Sequence, residues 1–110
     1  MILKNITGNK LITSKAQKAN TFWDQLLGLL NKRNSRFLIF NTRFGIHTFF
    51  MNTAIDVILL NGNNHVIKIN KYLSPNRLFL YHPKYFTVIE LPKGTIDKFD
   101  IQINDKISIE

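Results

Sequence analysis

The stretch from Ile46 to Leu60, IHTFFMNTAIDVILL, is the longest apolar run in the chain, and it sets a histidine, a methionine and an aspartate among residues that must be buried. Buried strands ordinarily do without such groups, because a polar atom taken out of water must find a partner. In a regular strand the side chains alternate, so His47, Phe49 and Met51 would share one face and Ile46, Thr48 and Phe50 the other. Ile55 to Leu60 is then a second strand with no polar rhythm apart from Asp56. Neither piece approaches the roughly 18 apolar residues that a membrane-spanning helix needs.

The segments around this run have the length and punctuation of short strands. Ile2-Leu3 and Ile6, then Leu11-Ile12, flank Thr7-Gly8-Asn9, whose Gly and Asn suit the positive φ of a tight turn. Phe37 to Phe40 reads as a buried strand. Asn61 to Asn64 is a turn, and His65 to Leu73 pairs back, with Val66, Ile67 and Ile69 set against Lys68 and Asn70. Ser74-Pro75-Asn76 turns the chain into Leu78 to Tyr81, and His82-Pro83-Lys84 turns it into Tyr85 to Leu91. Thr95 to Phe99 suits one short helical turn, and Lys106 to Ile109 closes the set. One longer helix is expected from Thr21 to Asn31. Thr21 and Asp24 form a capping box, and Trp23, Leu26, Leu27 and Leu30 make its apolar stripe. Many short strands and one amphipathic helix predict a mainly β domain, α+β at the margin: a small closed or partly open β-barrel with the helix packed on it.

At 110 residues, with 45% hydrophobic and 12% aromatic side chains, the chain has material for one core and no more, so residues 1–110 are read as a single domain. The absence of cysteine removes disulfides, thiolate catalysis and thiolate metal sites together. The amino-terminal residues lack the basic start and continuous apolar core of a signal peptide, so a soluble cytoplasmic protein is expected. The net charge of +8 is lopsided. Up to Ile55 eight basic residues face Asp24 alone, whereas the remainder carries seven basic and six acidic residues. Such a half can serve nucleic acid or an anionic membrane, or it can simply reflect a chain rich in Lys, Asn and Ile.

The order of short motifs is more specific than any one of them. Gly28-Leu29-Leu30 is followed by Ile46-His47-Thr48-Phe49-Phe50-Met51 and by Ile55-Asp56-Val57. Gly62 then stands before Val66, Leu73-Ser74-Pro75 precedes Arg77, and Val88-Ile89-Glu90-Leu91-Pro92 precedes Gly94. Together these resemble the family known as domain of unknown function 192, over roughly residues 21–109. There are departures. Gln25 stands where the family usually has Arg, Asn52-Thr53-Ala54 replaces a common Arg-Phe-Pro, and Asn104-Asp105 stands for Gly-Asp. The exchange of Gly for Asn is mild, since Asn tolerates the left-handed region better than most residues. The resemblance implies a compact β-rich fold with one helix and implies no established activity, cofactor or partner.

The chemistry must therefore come from the residues. His47 with Asp56 and Glu90 is the one histidine–carboxylate set, and a carboxylate on one imidazole nitrogen would leave the other as base or ligand. The competing reading is that each group satisfies backbone atoms. Arg77, which matches the family where most lysines do not, completes a candidate ligand-binding set of His47, Asp56, Arg77 and Glu90. No metal site is expected, because His47, His65 and His82 lack ligand spacing. No catalytic residue or cofactor is expected either. There is no thiol, no serine in an elbow or beside a histidine, and no glycine-rich phosphate loop. These observations favour a non-enzymatic accessory or binding domain for a protein or a small anionic ligand. The alternative is a nucleic-acid-associated protein that uses the basic half, with Tyr72, Tyr81, Tyr85 and Phe86 stacking on bases beside Lys71, Arg77 and Lys84.

Overall fold

The computed structural model of the chain describes residues 1–19, 37–43, 45–47 and 53–110. The helix expected from Thr21 to Asn31 lies outside these residues. The described residues form ten strands: β1 (Leu3–Asn5), β2 (Lys10–Thr13), β3 (Gln17–Ala19), β4 (Leu38–Asn41), β5 (Gly45–His47), β6 (Ile55–Leu60), β7 (Val66–Leu73), β8 (Leu78–Leu80), β9 (Thr87–Pro92) and β10 (Ile107–Ile109). One helical turn, α1 (Thr95–Lys98), separates β9 from β10.

The strands make three sheets. A five-stranded sheet runs β3-β4-β9-β6-β7, a three-stranded sheet runs β10-β1-β2, and β5 with β8 forms a two-stranded ribbon. All pairings are antiparallel except β3 with β4. A parallel pair needs a crossover of a dozen or more residues, and residues 20–37 provide that length. β3 itself is the strand for which the sequence offered no signal; its residues Gln17, Lys18 and Ala19 have no apolar run.

Every residue of β6 is buried, and β9 is buried over Val88 to Leu91. That pattern requires cover on both faces of the sheet. On one face Ile39, Ile58, Leu60, Ile89 and Leu91 pack with Leu3, Ile12 and Ile107 of the three-stranded sheet and with Ile96 of α1. On the other, Leu38, Phe40, Val57, Leu59 and Val88 pack with Ile46 and Phe79 of the ribbon. The expected barrel is therefore corrected. Among the described residues the sheets do not close, and the five-stranded sheet keeps two edges, β3 and β7. The reason is the continuous burial of its central strands. A barrel this small would bury one side chain in two along each strand, whereas this sheet is the middle of three layers.

The turns take their positive φ from asparagine. Asn9, Asn64 and Asn76 lie at φ 52°, 63° and 62°, each in a turn expected from the sequence, and Asn104 lies at 76°. Asn104 thus occupies the left-handed region, which Asn tolerates better than most residues. Pro92 is the last residue of β9, and the chain turns at Gly94, with φ 87°.

Candidate functional site

Asp56 sits in β6 directly opposite Leu91, and Val57 sits opposite Glu90. Paired residues of an antiparallel ladder project to the same face and successive residues to opposite faces. Asp56 and Glu90 are therefore on opposite sides of the same sheet. Asp56 faces the three-stranded layer and Glu90 the ribbon, each only 1% exposed.

The surroundings of Asp56 explain its burial. Oδ2 accepts a hydrogen bond from the backbone N–H of Ile96 at 2.9 Å, and Oδ1 accepts one from the N–H of Tyr72 at 3.0 Å. Ile96 lies in the first turn of α1, where backbone donors have no partner within the helix. Gly94, at the cap position, has no side chain to offer. Asp56 thus caps a helix forty residues further along. Its second bond closes a bulge. Ile55 pairs with Leu73 and Val57 with Asn70, so Lys71 and Tyr72 together oppose Asp56, and Tyr72 adopts φ 54°. Both oxygens are held by backbone groups of two elements.

Glu90 lies between Leu38 and Val57 in the centre of the sheet, on the face that carries the ribbon. His47 is the last residue of β5 and pairs with Leu78, next in sequence to Arg77. The fold therefore brings His47 and Arg77 to one end of the ribbon, with Glu90 in the sheet that the ribbon covers and Asp56 behind that sheet. The remaining histidines take part in turns. His82 Nδ1 accepts from the N–H of Lys84 at 3.1 Å, and the His65 N–H donates to Asn61 Oδ1 at 2.9 Å. Among the described residues no group of three or more acids and histidines could hold a metal ion. No helix among them is long and apolar enough to cross a membrane.

The ribbon has a feature that the sequence reading missed. Leu78-Phe79-Leu80 looks like a buried strand, and Phe79 is buried, but Leu78 and Leu80 are 57% and 58% exposed. One cation is held on this strand and two more on the segment that follows it. Lys68 Nζ donates to the Leu80 carbonyl at 2.9 Å and lies 4.8 Å from the centre of the Phe79 ring. Arg43 Nη1 donates to the Pro83 carbonyl at 2.6 Å, with its guanidinium 4.9 Å over Phe86, and Lys84 lies 5.1 Å over Tyr85. These partners are neutral, so they orient the charges without cancelling them. On the other side of the molecule Lys4 meets Glu110 at 3.6 Å, and at the sheet edge Lys71 meets Asp97 at 2.6 Å. A sequence signal for this division exists: from Gln25 to Ile89 the only acid is Asp56, which is buried.

The tyrosines considered for base stacking are mostly engaged. Tyr81 and Tyr85 pack against the ribbon-side core, and the Tyr81 hydroxyl donates to the Thr42 carbonyl. Burial pushes the Tyr81 phenol up to about 12. Tyr72 is exposed at the bulge, away from the ribbon, beside α1.

Comparison with known proteins agrees with this architecture. The family profile described as "Uncharacterized ACR", domain of unknown function 192, matches residues 3–109. A UPF0127 protein of Pyrococcus furiosus is 31% identical over 109 residues, covering 94% of this chain and 93% of its own. The crystal structure of a protein of unknown function from Novosphingobium aromaticivorans superposes with a TM-score of 0.76 at 15% identity, over 98% of this chain and 82% of that one. A Sinorhizobium meliloti protein, provisionally designated a transcription regulator, superposes with a TM-score of 0.78 at 13% identity, over 97% of this chain and 89% of that one. At such identities the two structures speak to the fold alone. With nearly its whole length matched by the family profile, the chain belongs to the domain of unknown function 192 family.

Proposed function

We propose that the chain is a non-enzymatic binding domain whose ligand is anionic and is met at the β5–β8 ribbon. The observation that carries this reading is the set of cations at the ribbon, Arg43, Lys68 and Lys84, oriented by carbonyl oxygens and aromatic rings with no carboxylate among those partners. Charges arranged in this way attract an anion over a distance of about a Debye length, roughly 8–10 Å at physiological salt. Of the four residues singled out in the sequence, Arg77 and His47 stand at the ribbon's end and are the proposed contacts. Glu90 lies in the sheet beneath the ribbon, and its proposed part is to shape the layer on which the ribbon rests. Asp56, with both oxygens committed to backbone donors on the far face, serves the architecture.

Titration with oligoglutamate and with inorganic pyrophosphate, at low salt and at 0.5 M salt, tests the reading. Binding should weaken steeply with salt, and Arg77→Glu should lower affinity about tenfold, which corresponds to about 1.4 kcal/mol. Arg77 is exposed, and the melting temperature measured alongside separates a loss of affinity from a loss of fold. Absence of salt-sensitive binding to either anion would overturn the proposal. Turnover of a substrate that is lost in a His47→Ala protein of unchanged melting temperature would show that the domain is an enzyme.

A further inference from the structure

The geometry points to a specific class of partner for the ribbon: a short acidic peptide segment of another protein, carrying a pair of apolar side chains that seat on Leu78 and Leu80. The inference rests on the binding-domain reading above and goes further, because it gives the exposed leucines a role that a small anion would leave unused. Two observations meet here. Leu78 and Leu80 are alternate residues of one strand and share its outer face, while Phe79 between them is buried against the sheet with Ile46. The leucine pair is also bracketed by positive charge. Arg77 precedes it, Lys68 is anchored on the carbonyl of Leu80 itself, and Arg43 is anchored on Pro83 just beyond.

An apolar pair with cations on its flanks is complementary to a segment with an apolar pair and carboxylates on its flanks. Burying the leucines would supply contact area, and the carboxylates would fix orientation and keep wrong partners away. The footprint is small, since a strand of three residues runs about 10 Å, which suits a few residues of extended chain. Among the described residues the surface acids do not compete for the site. Asp97, Asp100, Asp105 and Glu110 belong to α1 and to the segments after it, which pack with the three-stranded sheet on the opposite side of the molecule.

Nucleic acid fits this surface less well. Base stacking requires open aromatic faces, whereas the exposed apolar groups of the ribbon are aliphatic and the nearby rings of Phe79, Tyr85 and Phe86 are each covered by a cation. An anionic membrane would need more inserted apolar surface than two half-exposed leucines present.

The test is a direct binding comparison by fluorescence anisotropy with the intact chain. The probes are an acidic peptide with two leucines at alternate positions, an oligoglutamate of equal charge, and a single-stranded oligonucleotide of equal charge. Phosphatidylglycerol vesicles are compared by co-sedimentation. The leucine-bearing acidic peptide should bind at least about tenfold more tightly than oligoglutamate, about 1.4 kcal/mol in its favour. The double variant Leu78→Ser with Leu80→Ser should remove that preference while leaving oligoglutamate binding in place. Lys68→Gln provides a second variant, expected to weaken both peptides and to leave the preference for leucine intact. Equal affinity for the two peptides would overturn the peptide inference and leave the anion-binding reading standing. No binding to any anion would overturn both. Tighter binding to the oligonucleotide or to the vesicles would replace the proposed partner with that one.

Discussion

A buried aspartate that accepts two backbone hydrogen bonds does work that no neighbour in the sequence reveals. Asp56 holds α1 through Ile96 and the bulge of β7 through Tyr72. Asn at this position keeps one acceptor and replaces the other with a donor, so one of the two N–H groups must lose its partner. Asp56→Asn is therefore expected to destabilise the fold by about 1–3 kcal/mol in urea unfolding, with faster amide exchange at Ile96 or Tyr72 as the local signature. A change under about 0.5 kcal/mol would show that water replaces these bonds. Tyr81 makes a different prediction. Burial disfavours its phenolate, so the folded chain holds this proton up to about pH 12, while the unfolded chain releases it near pH 10.0. Stability should be intact below pH 10 and should fall as pH rises from 10 to about 12, because in that window the unfolded state binds fewer protons. An ultraviolet titration should show a tyrosinate step near pH 12 that Tyr81→Phe removes.

At the scale of elements, the ribbon depends on the absence of a side chain. A Cβ on Gly45 would lie 2.5 Å from the carbonyl oxygen of Phe79 and 2.8 Å from the Leu80 side chain. Since the obstacle is backbone of the partner strand, Gly45→Ala must push β5 away from β8. A cost of about 1–3 kcal/mol is expected by denaturation, together with weakened anion binding if the ribbon is the binding element. Gly94 plays the corresponding part for α1, since its φ of 87° is a conformation that L side chains rarely adopt. It lets β9 turn directly into the helix, so that Ile96 reaches both the core and the carboxylate of Asp56.

Across the whole molecule, the layered arrangement makes neighbouring residues of β6 equally costly to truncate. Ile58 faces the three-stranded sheet and Leu59 the ribbon, and each is at most 2% exposed. Ile58→Ala and Leu59→Ala are each expected to cost about 2–5 kcal/mol in urea unfolding. Strong alternation between the two would contradict a middle sheet covered on both faces. The two faces also divide the electrostatics. Among the described residues, surface acids pair with Lys4 beside the three-stranded sheet and with Lys71 at the edge of the five-stranded sheet, while the ribbon keeps cations held by neutral groups.

Much of this was legible in the sequence because it is local. Among the described residues, strands and turns from Leu38 to Ile109 follow from short apolar runs separated by Gly, Pro and Asn, and the asparagines at Asn9, Asn64 and Asn76 fall where a positive φ is needed. Family membership was legible too, as an ordered series of short motifs. The layering was present in the uninterrupted burial signal of Ile55 to Leu60, although a barrel was the expectation drawn from many short strands. What only tertiary structure decided is which side of which sheet each residue meets. Register across β6 and β9 sends Asp56 and Glu90 to opposite faces, and the pairing of β5 with β8 turns Leu78 and Leu80 outward while Phe79 goes in. Side-chain parity along a strand can be read from one segment. The choice of face depends on which other segment lies against it, and that segment is supplied by residues far away in the chain.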